Sequence, residues 1–129
     1  MDRETERGIE WECERVIRQF YHHTDHYEFD EAVKLFAEDV VWKVAGLHLV
    51  GRNQLLDALH GGIGNDTIRH VITNTIVDVI DEDNADLLNY TNIYYSREGR
   101  RDKMDGPLHF EGPHRFADGA ATMRRVDGE

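Results

Sequence analysis

Apolar side chains recur at three- and four-residue steps through Ile9, Cys13, Val16, Ile17, Phe20, Thr24 and Tyr27. No Gly or Pro interrupts them after Gly8, so the pattern predicts a long first helix over residues 6–27. A shorter helix is expected over 29–37 (FDEAVKLFA), with Phe29, Val33 and Phe36 on one side. The residues 40–44 (VVWKV) then read as β-rich, and 47–50 extend that path up to Gly51. Asn53 is placed to cap a third helix, NQLLDALH, which stops at Gly61 and Gly62.

Beyond Thr67 the period changes. Residues 67–80 (TIRHVITNTIVDVI) are dominated by β-branched side chains and predict one long strand, turned by DEDN at 81–84 and answered by a second long strand at 85–96. A polar connection follows over 97–106. Two further strands are expected at 109–117 and 121–126, with Asp118-Gly119 as the turn between them. Helices followed by an antiparallel meander predict an α+β layer architecture. No repeat, low-complexity segment or interdomain linker breaks the 129 residues, which make a single domain.

Composition narrows the partners. A chain of this length with 40% hydrophobic residues buries roughly two-thirds of its unfolded surface, enough for a core and an internal cavity. The net charge of −11, from 26 acidic against 15 basic residues, repels nucleic acid and anionic membrane. The densest basic run, REGRRDK at 97–103, is broken by Glu98 and Asp102 and reads as a solvated hairpin tip. Cys13 is the only cysteine, so neither an internal disulfide nor a thiolate metal cluster can form. The charged N-terminus carries no signal-peptide pattern and no apolar run reaches membrane-spanning length, so a cytoplasmic location is the default expectation.

The segment RQFYHHTDHYEFD at 18–30 crowds His22, His23, Asp25 and His26 together and invites a metal reading. His22 and His26 form an i, i+4 pair, half of a zinc site. On a wheel of about 100° per residue they fall with Arg15, Arg18 and Gln19, away from the apolar stripe. No second histidine-bearing helix supplies further ligands, so a solvated face is expected, with no metal. Asp25 lies at the margin of the apolar arc, roughly 130° from its centre; taken alone it reads as an exposed carboxylate near a helix end. His70 shares a strand face with Ile68, Ile72, Asn74 and Ile76. Its ring N–H needs a partner there, either a backbone carbonyl or a carboxylate from a crossing helix, since an unpaired buried polar group costs roughly 1–3 kcal/mol.

The order of elements, with the words FDEAVKLFAEDVVW, GRNQLL and TIRHVITN, resembles the SnoaL-like branch of the nuclear transport factor 2-like superfamily over almost the whole chain. The resemblance implies a cone-shaped fold, a strongly curved antiparallel sheet wrapped around the long N-terminal helix, with two shorter helices. Relatives include scytalone dehydratase, hexachlorocyclohexane dehydrochlorinase, ketosteroid isomerase, limonene epoxide hydrolase and polyketide cyclases, beside catalytically silent binding modules. In the dehydratase and dehydrochlorinase relatives an aspartate near the end of the first helix pairs with a histidine on a central strand. Asp25 and His70 occupy the matching positions, so the resemblance implies an Asp25–His70 dyad acting as a cofactor-free general base on a small hydrophobic molecule. Tyr21, Trp42, Asn74, Asn89, Thr91 and Tyr95 are the implied substrate-pocket residues, with the Asn89–Thr91–Ile93–Tyr95 face turned inward. Plain core packing is the competing role of Trp42. Relatives usually continue past VDGE at 126–129 with a tryptophan and more strand, so the final strand is expected to be shortened or missing here. Apolar residues on both faces of the 67–96 hairpin lead to an expected homodimer through the outer sheet face. The alternative is a non-catalytic small-ligand-binding or accessory dimerisation module of the same fold.

Overall fold

The computed structural model describes residues 1–44, 47–62, 67–96 and 115–125. The elements are α1 (Arg3–Asp25), α2 (Phe29–Lys34), β1 (Val41–Val44), β2 (Leu47–Val50), α3 (Gly51–Gly62), β3 (Thr67–Asp81), β4 (Asn84–Ser96) and β5 (Arg115–Arg124). β1 and β2 form a two-stranded antiparallel sheet, and β3-β4-β5 form a three-stranded one. The α+β class expected from the residue pattern is the class the chain adopts. Residues 97–114, which carry the expected polar connection, His109, His114 and most of the 109–117 strand, lie outside the described residues, as do 126–129.

Helix ends depart from expectation for local reasons. The Asp2 carboxylate accepts the Thr5 N–H at 2.8 Å, an N-cap that extends α1 upstream to Arg3. Downstream α1 stops at Asp25, and Tyr27 takes φ 62° to turn the chain into α2. α2 ends three residues short of Ala37; the Arg52 guanidinium donates to the Phe36 carbonyl at 2.8 Å and satisfies that exit. α3 begins at Gly51 rather than beyond Asn53, because Gly51 adopts φ 83° and the Gln54 side chain reaches back to accept the Val50 N–H at 2.8 Å. Asn53 is exposed and is not the cap.

The sheet holds two corrections that bear on the site. The expected turn at Asp118-Gly119 is absent: one strand, β5, runs through both residues and pairs with β4 without interruption. Gly119 stands opposite Asn89, whose side chain fills the space a Cβ at Gly119 would take. This glycine serves close packing, not a turn. The second correction concerns β3. Its register against β4 slips between Thr73 and Ile76, so Asn74 and Thr75 together oppose Asn89, and Asn74 adopts φ 53°. The bulge flips the alternation. Ile68, His70 and Ile72 turn inward before it, while Val77 packs inward after it; Asn74 and Ile76 are exposed instead of sharing the His70 face.

α1 packs on the inner sheet face. Cys13, Ala85 and Leu87 form the centre of that contact, with Ile9, Ile17, Val77 and Met123 against them. Cys13 is buried as expected, and desolvation, then the neighbouring Glu12 and Glu14, raises its thiol pKa. Phe20, Phe29, Ala32, Val33 and Leu55 bury the helical end of the molecule. On the outer face Val71, Ile76, Leu88, Tyr90 and Phe116 are exposed, and the Tyr90 and Phe116 rings lie 5.2 Å apart. Among the described residues no helix is long and apolar enough to cross a membrane.

Candidate functional site around Asp25 and His70

The last turn of α1 and the start of β3 bring Asp25 and His70 together from 45 positions apart. Asp25 holds His70 twice. One carboxylate oxygen accepts the His70 backbone N–H at 2.8 Å, and the other lies 2.5 Å from His70 Nδ1. A carboxylate only accepts, so Nδ1 carries the proton and Nε2 keeps its lone pair. The carboxylate is 6% exposed and the imidazole 15%, a setting in which hydrogen bonds to charged groups are strong. Arg69, the preceding residue on β3, donates from Nη1 to the Asp25 backbone carbonyl at 3.2 Å and to the Ile68 carbonyl at 2.8 Å. It thereby closes the carbonyl end of α1, where a cation is favoured. The helical wheel puts Asp25 at the edge of the apolar arc; the sheet covers that edge.

Tyr21, one helical turn earlier, places its ring 4.7 Å from the His70 ring at 32°. Thr91 is the polar side chain that its hydroxyl interacts with. Burial is the main cause that raises the phenol pKa above its ordinary value of 10.0, and the charge of Asp25 adds to it, while Thr91 works in the opposite sense. The phenol therefore stays neutral. Thr91 is buried on β4 and its Oγ1 accepts from Asn89 Nδ2 at 2.9 Å. The inward register of the Asn89–Thr91–Ile93–Tyr95 face follows from the pairing: His70 opposes Ile93, Ile72 opposes Thr91 and Ile68 opposes Tyr95. Tyr95 is half-buried on that face.

Trp42 stands apart from the dyad. It stacks on Phe36 at 5.9 Å and meets Phe20 edge-on at 5.5 Å, while Phe20 in turn contacts Phe36 and Tyr21 at 4.9 Å each. That aromatic group packs behind Tyr21. Asn74 is not brought to the site, because the bulge turns it to solvent. Two contributors escape the sequence reading. Strand alternation assigns Arg69 to the opposite face, and Gly119 reads as half of a turn; a glycine facing a buried polar residue in the register is the signal that identifies it.

The remaining histidines of the 22–26 segment are engaged locally. His26 Nδ1 lies 2.7 Å from the His22 carbonyl, the His22 and His26 rings are 4.4 Å apart, and His23 Nδ1 is 3.1 Å from Glu28 Oε1. His60 packs edge-on against Phe29 at 4.9 Å, and His48 is exposed on β2. Among the described residues no three metal-ligating side chains converge.

Comparison with known proteins places this geometry. The family model of the SnoaL-like domain matches residues 8–126. No curated protein matches the sequence. Among solved structures, a scytalone dehydratase candidate from Novosphingobium aromaticivorans superposes with a TM-score of 0.77 at 20% identity, covering 98% of this chain and 80% of that one. Aln2 from a Streptomyces species gives 0.76 at 17% identity, over 94% and 83% of the two chains. ActVI-ORFA from Streptomyces coelicolor gives 0.73 at 16% identity, over 95% and 90%. At these identities the likeness shows the fold, the long helix and antiparallel sheet of the nuclear transport factor 2-like cone.

Proposed function

Because the chain belongs to the SnoaL-like domain family, we propose that it is a cofactor-free general-base catalyst of the dehydratase, isomerase or cyclase type, acting on a small, largely apolar carbonyl compound. The supporting observation is the double acceptance of His70 by Asp25, at its backbone N–H and at Nδ1. Asp25 orients the imidazole, fixes its tautomer and stabilises the imidazolium that forms when Nε2 takes a proton. His70 Nε2 removes the proton from a carbon beside the carbonyl, and the C–H electron pair passes into an enolate. In an elimination the enolate then expels a hydroxyl at the next carbon, which leaves as water with the proton returned by His70. In an isomerisation the same proton is returned to a different carbon. The chemistry needs only a held base, a dry wall and a donor at the oxygen.

A panel of β-hydroxy ketones and cyclic enones incubated with the protein in D₂O tests this reading. The wild-type protein is expected to eliminate water from, or exchange the α-protons of, at least one member, and His70→Ala to lose that activity. Equal rates with and without wild-type protein across the panel would remove the catalytic reading. The non-catalytic alternative draws on the close packing of Phe20, Phe36 and Trp42, and it expects ligand binding without turnover.

We also propose that a second copy covers the outer sheet face. Ile76 and Phe116 are 63% and 61% exposed there, on the same face as the exposed Val71, Leu88 and Tyr90, and apolar residues gathered on one face mark interaction surfaces. Light scattering should give twice the chain mass, and Phe116→Glu with Leu88→Lys should give the single-chain mass. A wild-type protein of single-chain mass at high concentration would rule out the pairing.

A further inference from the structure

Helix α1 ends on the residue that carries the carboxylate of the dyad. The turn that follows uses the carbonyls of His22, His23 and Thr24, which accept the backbone N–H groups of His26, Glu28 and Tyr27. The Asp25 carbonyl is taken by a side chain from the sheet instead. Arg69 Nη1 donates to it at 3.2 Å and donates again to the Ile68 carbonyl at 2.8 Å. The last carbonyls of a helix have no partner within it, and helix ends fray. Here the end that would fray must keep a carboxylate within hydrogen-bond distance of His70.

Arg69 comes to that end from the far side of the strand. Alternation sends its side chain to the face opposite His70. Among the described residues β3 pairs on one side only, with β4, so its other edge is open. The side chain passes around that edge to reach α1 on the inner face. An open edge presents unpaired backbone groups, and both of those beside the dyad are used: Arg69 donates to the Ile68 carbonyl, and the Asp25 carboxylate accepts the His70 N–H. A guanidinium near a carboxylate commonly forms a forked pair with it. Here Nη1 is bonded to two carbonyls, and among the described residues both carboxylate oxygens are bonded to His70. The lone pairs of Asp25 thus stay with the imidazole.

From this arrangement we infer that Arg69 is a positioning residue for the dyad, which ties the main chain of Asp25 to β3 while His70 holds its carboxylate. Two consecutive residues of one strand then fix both the backbone and the side chain of Asp25. The inference rests on the general-base reading for its catalytic consequence and on hydrogen bonds for its geometry. Arg69 exchanges no proton and touches no reacting atom. Without it the last turn of α1 opens more often, and each opening takes the carboxylate off His70. The loss falls on kcat and spares KM, because the guanidinium lies behind the strand that presents the base. A single nitrogen makes both bonds, so a lysine ammonium, with three donors, can replace it. Methionine keeps the apolar stem and donates nothing.

Amide hydrogen exchange, followed by NMR on the full chain, tests the tie without any substrate. The His70 N–H is bonded to the Asp25 carboxylate and reports whether that carboxylate is in place. In Arg69→Met the His70 amide should exchange about 10-fold faster than in the wild-type protein, the worth of one hydrogen bond from a charged group. The amide of Leu87, buried on β4, should keep its rate, as a local opening requires. Arg69→Lys should return the His70 rate to that of the wild-type protein. On the ketone panel Arg69→Met should lower kcat by about 10-fold at unchanged KM. Equal His70 exchange in wild-type and Arg69→Met proteins overturns the inference. So does acceleration of His70 and Leu87 by the same factor, which marks a stabiliser of the whole fold, and so does Arg69→Lys behaving like Arg69→Met. Turnover is read separately: if the wild-type protein shows none while His70 exchange follows residue 69, the base reading falls and the tie stands. If turnover is found and His70 exchange ignores residue 69, the tie falls and the base reading stands.

Discussion

Replacing His70 with alanine should slow turnover by ~10²–10⁴, the usual contribution of a positioned general base, and leave the fold in place. The ring is partly exposed, at 15%, and β3 pairs with β4 through position 70, opposite Ile93, so the strand does not depend on the imidazole. Asp25→Asn should cost as much in rate for a different reason. An asparagine at that place can accept the His70 backbone N–H with its oxygen, but its NH₂ group then faces Nδ1 and donates to it. The ring proton moves to Nε2, so the nitrogen that should act as base no longer has a free lone pair. Asp25→Asn should therefore change stability little, whereas Asp25→Ala, which leaves the buried His70 backbone N–H without its acceptor, should lower it by about 1–3 kcal/mol. Rates on the ketone panel and urea midpoints for the three variants measure both effects. A His70→Ala or Asp25→Asn protein with full activity would end the dyad as a catalytic device.

The largest stability loss is expected from Phe20→Ala, about 3–5 kcal/mol. Phe20 is 2% exposed and contacts three aromatic rings, Tyr21, Phe36 and Trp42. No neighbour can swing into the space, because Phe36 and Trp42 are stacked on each other and Trp42 is also held by β1. The cavity left behind therefore persists, and its cost adds to the lost burial. The urea midpoint should fall with little change in slope, the mark of a less stable but equally compact native state. The site should suffer as well, since Phe20 backs Tyr21 and its carbonyl accepts the Thr24 hydroxyl at 2.9 Å, in the last turn before Asp25. A loss below about 1 kcal/mol would show that the aromatic group is not the anchor of this helix end.

The fold is largely legible along the chain because its elements follow strong local rules. The 3.6-residue period of α1, the β-branched run of β3 and the DEDN turn at 81–84 depend on nothing remote. The expected turn at Asp118-Gly119 fails for the opposite reason. Its residues carry turn chemistry, but the side chain of Asn89 on the neighbouring strand, absent from any local window, sets what Gly119 is for. Asn74 fails in the same way: strict alternation places it beside His70, and a bulge, created by pairing with β4, rotates everything beyond Thr73.

The site divides along the same line. The residue types of Asp25 and His70, the inward set Asn89 and Thr91, and the family they resemble are properties of the sequence. That Asp25 is buried at all is not. Helical periodicity puts it at the margin of the apolar face, and only the sheet lying over the end of α1 takes it out of water and sets both carboxylate oxygens on His70. Periodicity reports which face of an element is apolar; it carries no record of which remote strand will cover the edge of that face.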